Sequence, residues 1–386
     1  MQTKSKAPFK ILYAISFIFS LQYALVVYIN SSFLEQTISE KFVGLIFTCA
    51  SILSILFLLE MPRILNRLGN YRTSILFVIL NATALLLLAI STAGFIKVVS
   101  FLLYVITNYC LVLTRDVFIE DYTKNKNVGR TWGIFLTIIN LALILSQPLA
   151  VFLLAKGSYF GVYASAALFS LSALLFIIPH MKNFEDPIYR RISVWSTFKT
   201  ILKDKNLKKI YISEFLLCFF YAWMIIYMPI YLHQHMGFTW ANIGTIFSIM
   251  LIPFILVDYP LGKISDRVGE KKILAVGFFI LSISTIGVFL LKSQNIFMWA
   301  SILFLTRVGA ATIEIMNSSY FFKKISPSDA GLISFFRNMF PLAFVVAPLI
   351  AIPVLLYVPS FKFLFVVLSA IMMLGFLISL RIRDVK

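Results

Sequence analysis

Apolar runs of membrane-crossing length follow one another almost from end to end of this chain, broken only by short polar links. A helix needs roughly 20 apolar residues to cross the hydrocarbon core, where each backbone polar group must be satisfied within the segment. Such runs fall at 11–30, 42–61, 73–93, 97–119, 131–155, 159–179, 209–232, 241–261, 272–291, 296–322, 332–356 and 361–380. Length alone would suggest two or three soluble domains. However, 60% of the 386 residues are hydrophobic and 13% charged, more apolar surface than soluble cores of that size can hide. The reading is an all-α, multi-pass membrane protein of twelve transmembrane helices. Lys4, Lys6 and Lys10 before the first run imitate a signal peptide. That run is too long for one and ends at Asn30-Ser31-Ser32 without a small-residue cleavage site, so it reads as a retained span.

The net charge of +18 would suit nucleic acid, but its distribution argues otherwise. With both termini in the cytoplasm, inside segments carry 27 of the 34 Lys and Arg residues. Outside links carry five (Lys41, Lys97, Lys156, Lys292 and Lys362), and Arg307 and Arg337 fall within spans. The positive-inside rule expects this alternation, and one missed helix would scramble it. The expectation is a cell membrane protein with cytoplasmic termini, its basic links touching anionic headgroups and no nucleic acid. Cys49, Cys110 and Cys218 lie in apolar runs without ligand-like spacing, so neither a disulfide framework nor a metal site is expected.

An internal repeat runs at an offset of about 200 residues. Phe19 meets Phe219, Gly44 meets Gly244, Arg67 and Gly69 meet Arg267 and Gly269, and Pro148-Leu149 meets Pro348-Leu349. The expected organisation is a six-helix bundle over 1–180, a basic cytoplasmic linker over 181–208 and a second six-helix bundle over 209–386.

The link between spans 8 and 9 reads Gly262-Lys263-Ile264-Ser265-Asp266-Arg267-Val268-Gly269-Glu270-Lys271-Lys272. Gly262 and Gly269 permit a tight turn, Asp266 can accept from a helix N-terminus, and Arg267 holds the loop on the basic side. This resembles the signature cytoplasmic loop of the major facilitator superfamily. The first-half counterpart, Pro62 to Arg72, keeps the spacing with Pro62 for the first glycine and Asn66 for the aspartate. Arg307-Val308-Gly309-Ala310-Ala311 in span 10 is similar to the family's Arg/Gly-Ala segment, whereas span 4 has Thr107 opposite Arg307. The resemblance implies two pseudo-symmetric six-helix bundles that rock about a central cavity lined by spans 1, 4, 7 and 10. On those spans the cavity candidates are Gln22, Tyr23, Asn108, Tyr109, Trp223, Tyr227 and Asn317, with Asn140 added from span 5. Tyr231 reads as a lipid-interface residue, and for Tyr227 that interface is the alternative to the cavity.

Ionisable groups inside a bilayer are costly and usually functional. Arg307 lies roughly 17 Å in from the outer end of its span, near mid-membrane. It suits either a substrate anchor for an anion or a structural pair. Glu314, seven residues on, shares its helical face and could load and release a proton or form a fixed ion pair. Arg115, Asp116 and Glu120 cluster at the cytoplasmic end of span 4 as a gate or interfacial network. Arg337 lies in the cytoplasmic half of span 11, and Glu214 near the end of span 7 reads as structural. Pro341, Pro348 and Pro353 mark bends in span 11.

The function expected is alternating-access transport of a small molecule coupled to H+, by a monomer without a cofactor. A lipid-handling protein or a non-transporting sensor on the same fold is the alternative. The chain has no phosphate-binding loop, HExxH or GxSxG motif, so an enzyme is not expected.

Overall fold

The computed structural model describes residues 7–123, 128–155, 159–189, 194–257, 260–261, 264, 269–325 and 330–383. Among these the chain is helical and has no strand. The helices are α1 (Ala7–Val27), α2 (Asn30–Glu35), α3 (Glu40–Ile90), α4 (Gly94–Thr123), α5 (Val128–Ala155), α6 (Tyr159–Ser172), α7 (Leu174–Met181) and α8 (Val194–Lys203). There follow α9 (Lys205–Ile230), α10 (Trp240–Leu251), α11 (Pro253–Leu256), α12 (Glu270–Leu290), α13 (Ile296–Lys324), α14 (Ala330–Arg337), α15 (Met339–Tyr357) and α16 (Phe363–Ser379).

Nine of the described helices are long and apolar enough to cross a membrane. One of them, α3, has 51 residues, or about 77 Å at 1.5 Å each, more than twice the hydrocarbon thickness. It folds back at Gly69, whose φ of 76° and ψ of 160° lie in a region open to glycine, so it supplies two spans. The shorter apolar segments Trp240–Leu256 and Phe363–Ser379 complete twelve. Gly269, one repeat later, has nearly the same backbone at φ 86° and ψ 156°. Many large apolar side chains face outward, Leu168 at 67% and Leu175 at 73% exposure among them. Water would not tolerate such a surface, but lipid is its natural solvent.

Backbone contacts divide the chain into one unit of Met1–Ile38 and Cys49–Arg191 and another of Ser39–Thr48 and Ile192–Lys386. In the first, α1 packs on α4, α5 and α6 around Leu12, Ile15, Phe19, Phe77, Phe118 and Phe135. In the second, α12 packs on α13 and α16, and α9 on α13, α15 and α16. Ser282 and Ser369 staple α12 to α16, each hydroxyl donating to the other's carbonyl at 2.9 and 2.8 Å.

Two local expectations change. Tyr231 is not at a lipid interface: α9 runs on through a π turn at Tyr231–His235, and the ring packs among Trp299, Phe361 and Phe365, 5% exposed. The main break in span 11 falls at Asn338, between α14 and α15, rather than at a proline. Pro341 explains it from a distance, because its ring crowds the carbonyl four residues earlier, at Arg337. In the first turn of α15 its missing N–H leaves no bond unmade.

Candidate polar site on spans 7 and 10

Helix α13 is set in place at its N-terminus and near its middle. Asn295 caps it by accepting from the backbone N–H groups of Phe297 and Met298 at 2.8 and 3.3 Å. Near its middle, a Cβ on Gly309 would stand 2.8 Å from the Gly277 carbonyl and the Leu281 backbone nitrogen. The glycine therefore lets α12 and α13 cross at backbone contact, which is the physical content of the Arg-Val-Gly-Ala-Ala segment. Two residues before that crossing, Arg307 is 1% exposed, and its guanidinium lies 5.3 Å and 5.4 Å from the ring centroids of Phe220 and Tyr221 on α9. Such contacts gain strength when desolvated.

Tyr221 joins the two charged groups expected to share a face. Its ring carries Arg307, and its hydroxyl donates to Glu314 Oε2 at 2.7 Å. Arg307 and Glu314 also attract each other electrostatically. One turn further along α13, the Asn317 amide is fully buried. It accepts from Ser213 Oγ at 2.7 Å and donates to Glu214 Oε2 at 2.9 Å, while the Cys218 thiol lies 3.8 Å from Glu214 Oε1. The Glu214 and Glu314 carboxylates feel each other's charge. Spans 7 and 10 thus share a polar ladder of Arg307, Tyr221, Glu314, Glu214, Asn317 and Ser213. It presents a cation, two carboxylates and neutral hydrogen-bonding groups in a largely apolar interior, where each is strengthened by the low dielectric.

Other expected site residues lie elsewhere. Trp223 donates from its indole to the Ala347 carbonyl on α15 at 2.7 Å and packs against Phe219 and Tyr227, both rings buried with it. In the first unit, Gln22 Nε2 donates to Asn108 Oδ1 at 2.9 Å, tying span 1 to span 4. Tyr23, Tyr109 and Asn140 are half-buried. Thr107, opposite Arg307 in the repeat, accepts from Asn81, which accepts in turn from Ser170 at 3.0 Å. Arg115 pairs with its neighbour Asp116 at 3.0 Å, and Arg337 is exposed at the end of α14. Gly262, Asp266 and Arg267 lie outside the described residues, as does the side chain of Glu120.

The first-half loop is described in full and holds an unexpected group. Asp186, near the end of the first unit, accepts from the Asn70 backbone N–H at 2.7 Å and from the Tyr189 hydroxyl at 2.6 Å. Asn66 donates to the Tyr189 carbonyl at 2.9 Å. An aspartate thus meets the N-terminus of span 3, but it comes from 116 residues away rather than from the loop itself. At the second loop, Glu270 is 2% exposed and accepts from Lys323 at 2.7 Å and Ser319 at 3.2 Å.

Tyr221, Ser213, Asp186 and Glu270 are the residues that sequence reasoning passed over. One signal was available: Glu214, Cys218 and Tyr221 stand at i, i+4 and i+7, the spacing that linked Arg307 to Glu314. Asp186 left no local signal for its place at the loop, since the Asn70 N–H that it meets is 116 residues away.

No curated protein matches the chain. Among solved structures, a point mutant of the nucleoside transporter NupG superposes with a TM-score of 0.78 at 13% identity, covering 97% of this chain and 99% of that one. The human organic anion transporter MFSD10 (TETRAN) superposes with a TM-score of 0.71 at 17% identity, covering 98% and 100%. At those identities the likeness speaks for the fold. The family model described as Major Facilitator Superfamily matches residues 12–340 and 242–386. Twelve spans, a repeated glycine turn and a family match over nearly the whole length lead to one conclusion: the chain belongs to the major facilitator superfamily and is a multi-pass membrane transporter.

Proposed function

We propose that this transporter carries a small molecule by alternating access between two six-helix bundles, coupled to protons through Glu314. Arg307 anchors an anionic group of the cargo, and Asn317 with Glu214 lines the same path. The Gln22–Asn108 amide pair contributes neutral hydrogen bonds from the first half. The proposal includes a monomer in the cell membrane with both termini in the cytoplasm and residues 181–208 as the linker between bundles.

One observation carries this reading: Arg307, buried, and Glu314, half-buried, lie within span 10 and are bridged by Tyr221. A carboxyl beside both a cation and a hydroxyl donor is drawn in opposite directions. Ionised, it keeps the Arg307 attraction, and protonated, it escapes the desolvation penalty. An anionic cargo that takes up Arg307 tips Glu314 towards protonation, which links the two events.

The test begins with a thermal-shift screen of the purified protein in detergent, using nucleosides and organic carboxylates as first probes, because a ligand that binds the folded state stabilises it. The stabilising probe is then followed into proteoliposomes under an imposed pH gradient. The expected result is accumulation that follows the gradient in the wild type and equilibration without accumulation in Glu314→Gln. Gradient-driven accumulation by Glu314→Gln would remove Glu314 from the coupling.

A further inference from the structure

Among the described residues of the linker, helix α8 is the segment whose side-chain pattern asks for an occupant. It is joined to span 7 by Asp204 alone, whose extended backbone (φ −93°, ψ 109°) turns α8 off the span's axis. Placed at 100° per residue, its ten positions sort into three sectors. Thr197 and Ile201 are buried, and α8 packs on α9 and α14, with Phe198 6.4 Å from Phe335 at the edge of that contact. Next to them lies an arc of Val194, Phe198, Leu202 and Trp195, exposed at 48%, 39%, 46% and 66%. Beyond that arc come Lys199 and Lys203, both exposed, and then Ser196 and Thr200. Lys199 reaches back over Trp195, 5.4 Å from its ring centroid.

A helix facing only water would not carry Trp, Phe, Leu and Val in one exposed sector with lysines along its edge. A helix lying at a membrane surface has that order: apolar residues down, lysines at the headgroup level with their stems over the apolar face, polar residues up. Trp195 has the amphipathic shape found at such boundaries. The charge around it is one-sided, since Lys205 and Lys208 are exposed in the next turns.

We propose that α8 is an interfacial anchor. Val194, Trp195, Phe198 and Leu202 enter the boundary between headgroups and acyl chains, and Lys199 and Lys203 bind the phosphates of anionic phospholipids. The anchor would fix the level of span 7, and with it the height of Tyr221 and Glu214, against the bilayer. Assignment to the cytoplasmic leaflet rests on the orientation proposed above. Lipid contact does not, because a nanodisc offers the same lipid on both faces.

The test uses the full chain with Cys49, Cys110 and Cys218 replaced by serine, in nanodiscs of phosphatidylcholine with or without phosphatidylglycerol. Nitroxide labels at Trp195→Cys, Phe198→Cys and Ser196→Cys are probed with oxygen, which enters lipid, and a nickel chelate, which stays in water. Labels at 195 and 198 should favour oxygen and the label at 196 the chelate. The preference at 195 and 198 should grow with phosphatidylglycerol and lose that growth in Lys199→Gln/Lys203→Gln. Each lysine should favour docking about five-fold at an anionic surface. The label positions and both lysines are exposed, and Ser196→Cys serves as the folding control for the cysteine-free background, in which Cys110 and Cys218 are buried. Chelate access at 195 and 198 in both lipids would overturn the proposal, because the face would be in water. Shielding from both reagents would overturn it too, because protein would cover the face. Oxygen preference indifferent to phosphatidylglycerol would overturn the anionic-lipid role of the lysines.

Discussion

The two halves of this transporter agree where the backbone turns and differ where the chemistry lies. Gly69 and Gly269 hold the same left-handed turn at equivalent positions, and paired hydroxyl or amide groups tie span 3 to span 6 and span 9 to span 12. On the inner helices the halves part. Arg307, Glu314 and Glu214 stand opposite Thr107, Thr114 and Ala14, and Tyr221 stands opposite Leu21. Around Thr107 the first half has the neutral pairs Gln22–Asn108 and Asn81–Thr107, its Arg115–Asp116 ion pair lying two turns further along span 4, whereas the second half has charge at Arg307 itself. A neutral amide pair can position cargo but cannot change charge at physiological pH, so the proposed coupling is assigned to the second half.

The substitution expected to hurt most is Gly309→Val. Its branched side chain would enter the backbone contact with Gly277 and Leu281, forcing α12 and α13 apart. Overpacking of this kind costs about 1–3 kcal/mol and often more where backbone must move. Loss of the folded peak in size-exclusion chromatography is expected. The first half has Tyr109 at this position, so Tyr109→Val should keep its folded peak and thereby break the equivalence of the two crossings.

Gly69→Ala ranks next. It places a Cβ at positive φ, in a region essentially reserved for glycine and costing about 1–3 kcal/mol, and brings it to 2.5 Å from Asp186 Oδ2. Adding Asp186→Ala should relieve the clash and leave the backbone strain, so the double variant should melt higher than the sum of the single losses predicts. Simple additivity of the melting shifts would mean that Asp186 does not meet the span 3 N-terminus.

Tyr221→Phe keeps the ring under Arg307 and removes the hydroxyl from Glu314. A half-buried carboxylate that loses one donor is destabilised by about 1 kcal/mol. The proton coupling should therefore shift in pH while the fold persists, whereas Asn81→Leu in the first half should change stability alone. The pH profile of ligand-driven proton movement separates the two.

The smallest effect concerns Asp204. Burial opposes its ionisation, but the Lys324 hydrogen bond at 2.9 Å and the N–H groups of Leu207 and Asn206 outweigh that, so its carboxyl sits below the usual value. A carboxyl depressed on folding adds stability above its unfolded value, and that contribution is lost as pH falls through the folded one. Asp204→Asn keeps the helix cap and removes the ion pair, worth about half a kcal/mol at an exposed site. The variant's melting temperature should fall less on acidification than the wild type's.

The twelve spans were legible because membrane crossing imposes both a length and an apolar composition, and the basic links gave an independent check. The Gly69/Gly269 repeat was legible because few residues substitute for glycine in that turn. Arg307 and Glu314 were linked by helical spacing alone. Tyr221 was not found, because one tyrosine in an aromatic-rich apolar run looks like packing until its hydroxyl is seen on Glu314. Asp186 could not be found by any local pattern, since it compensates for Asn66 across the whole first half. Tyr231 was misplaced because ring amphipathicity is satisfied as well by a bundle interior as by a lipid interface.

The central claim is that charge coupling belongs to the second half. It is tested most directly by the number of protons moved per molecule of the stabilising ligand in proteoliposomes, measured side by side for Glu314→Gln and Asn108→Leu. The account predicts loss of proton movement in Glu314→Gln, and unchanged stoichiometry with weaker ligand affinity in Asn108→Leu. Proton movement that survives Glu314→Gln and disappears in Asn108→Leu would contradict it.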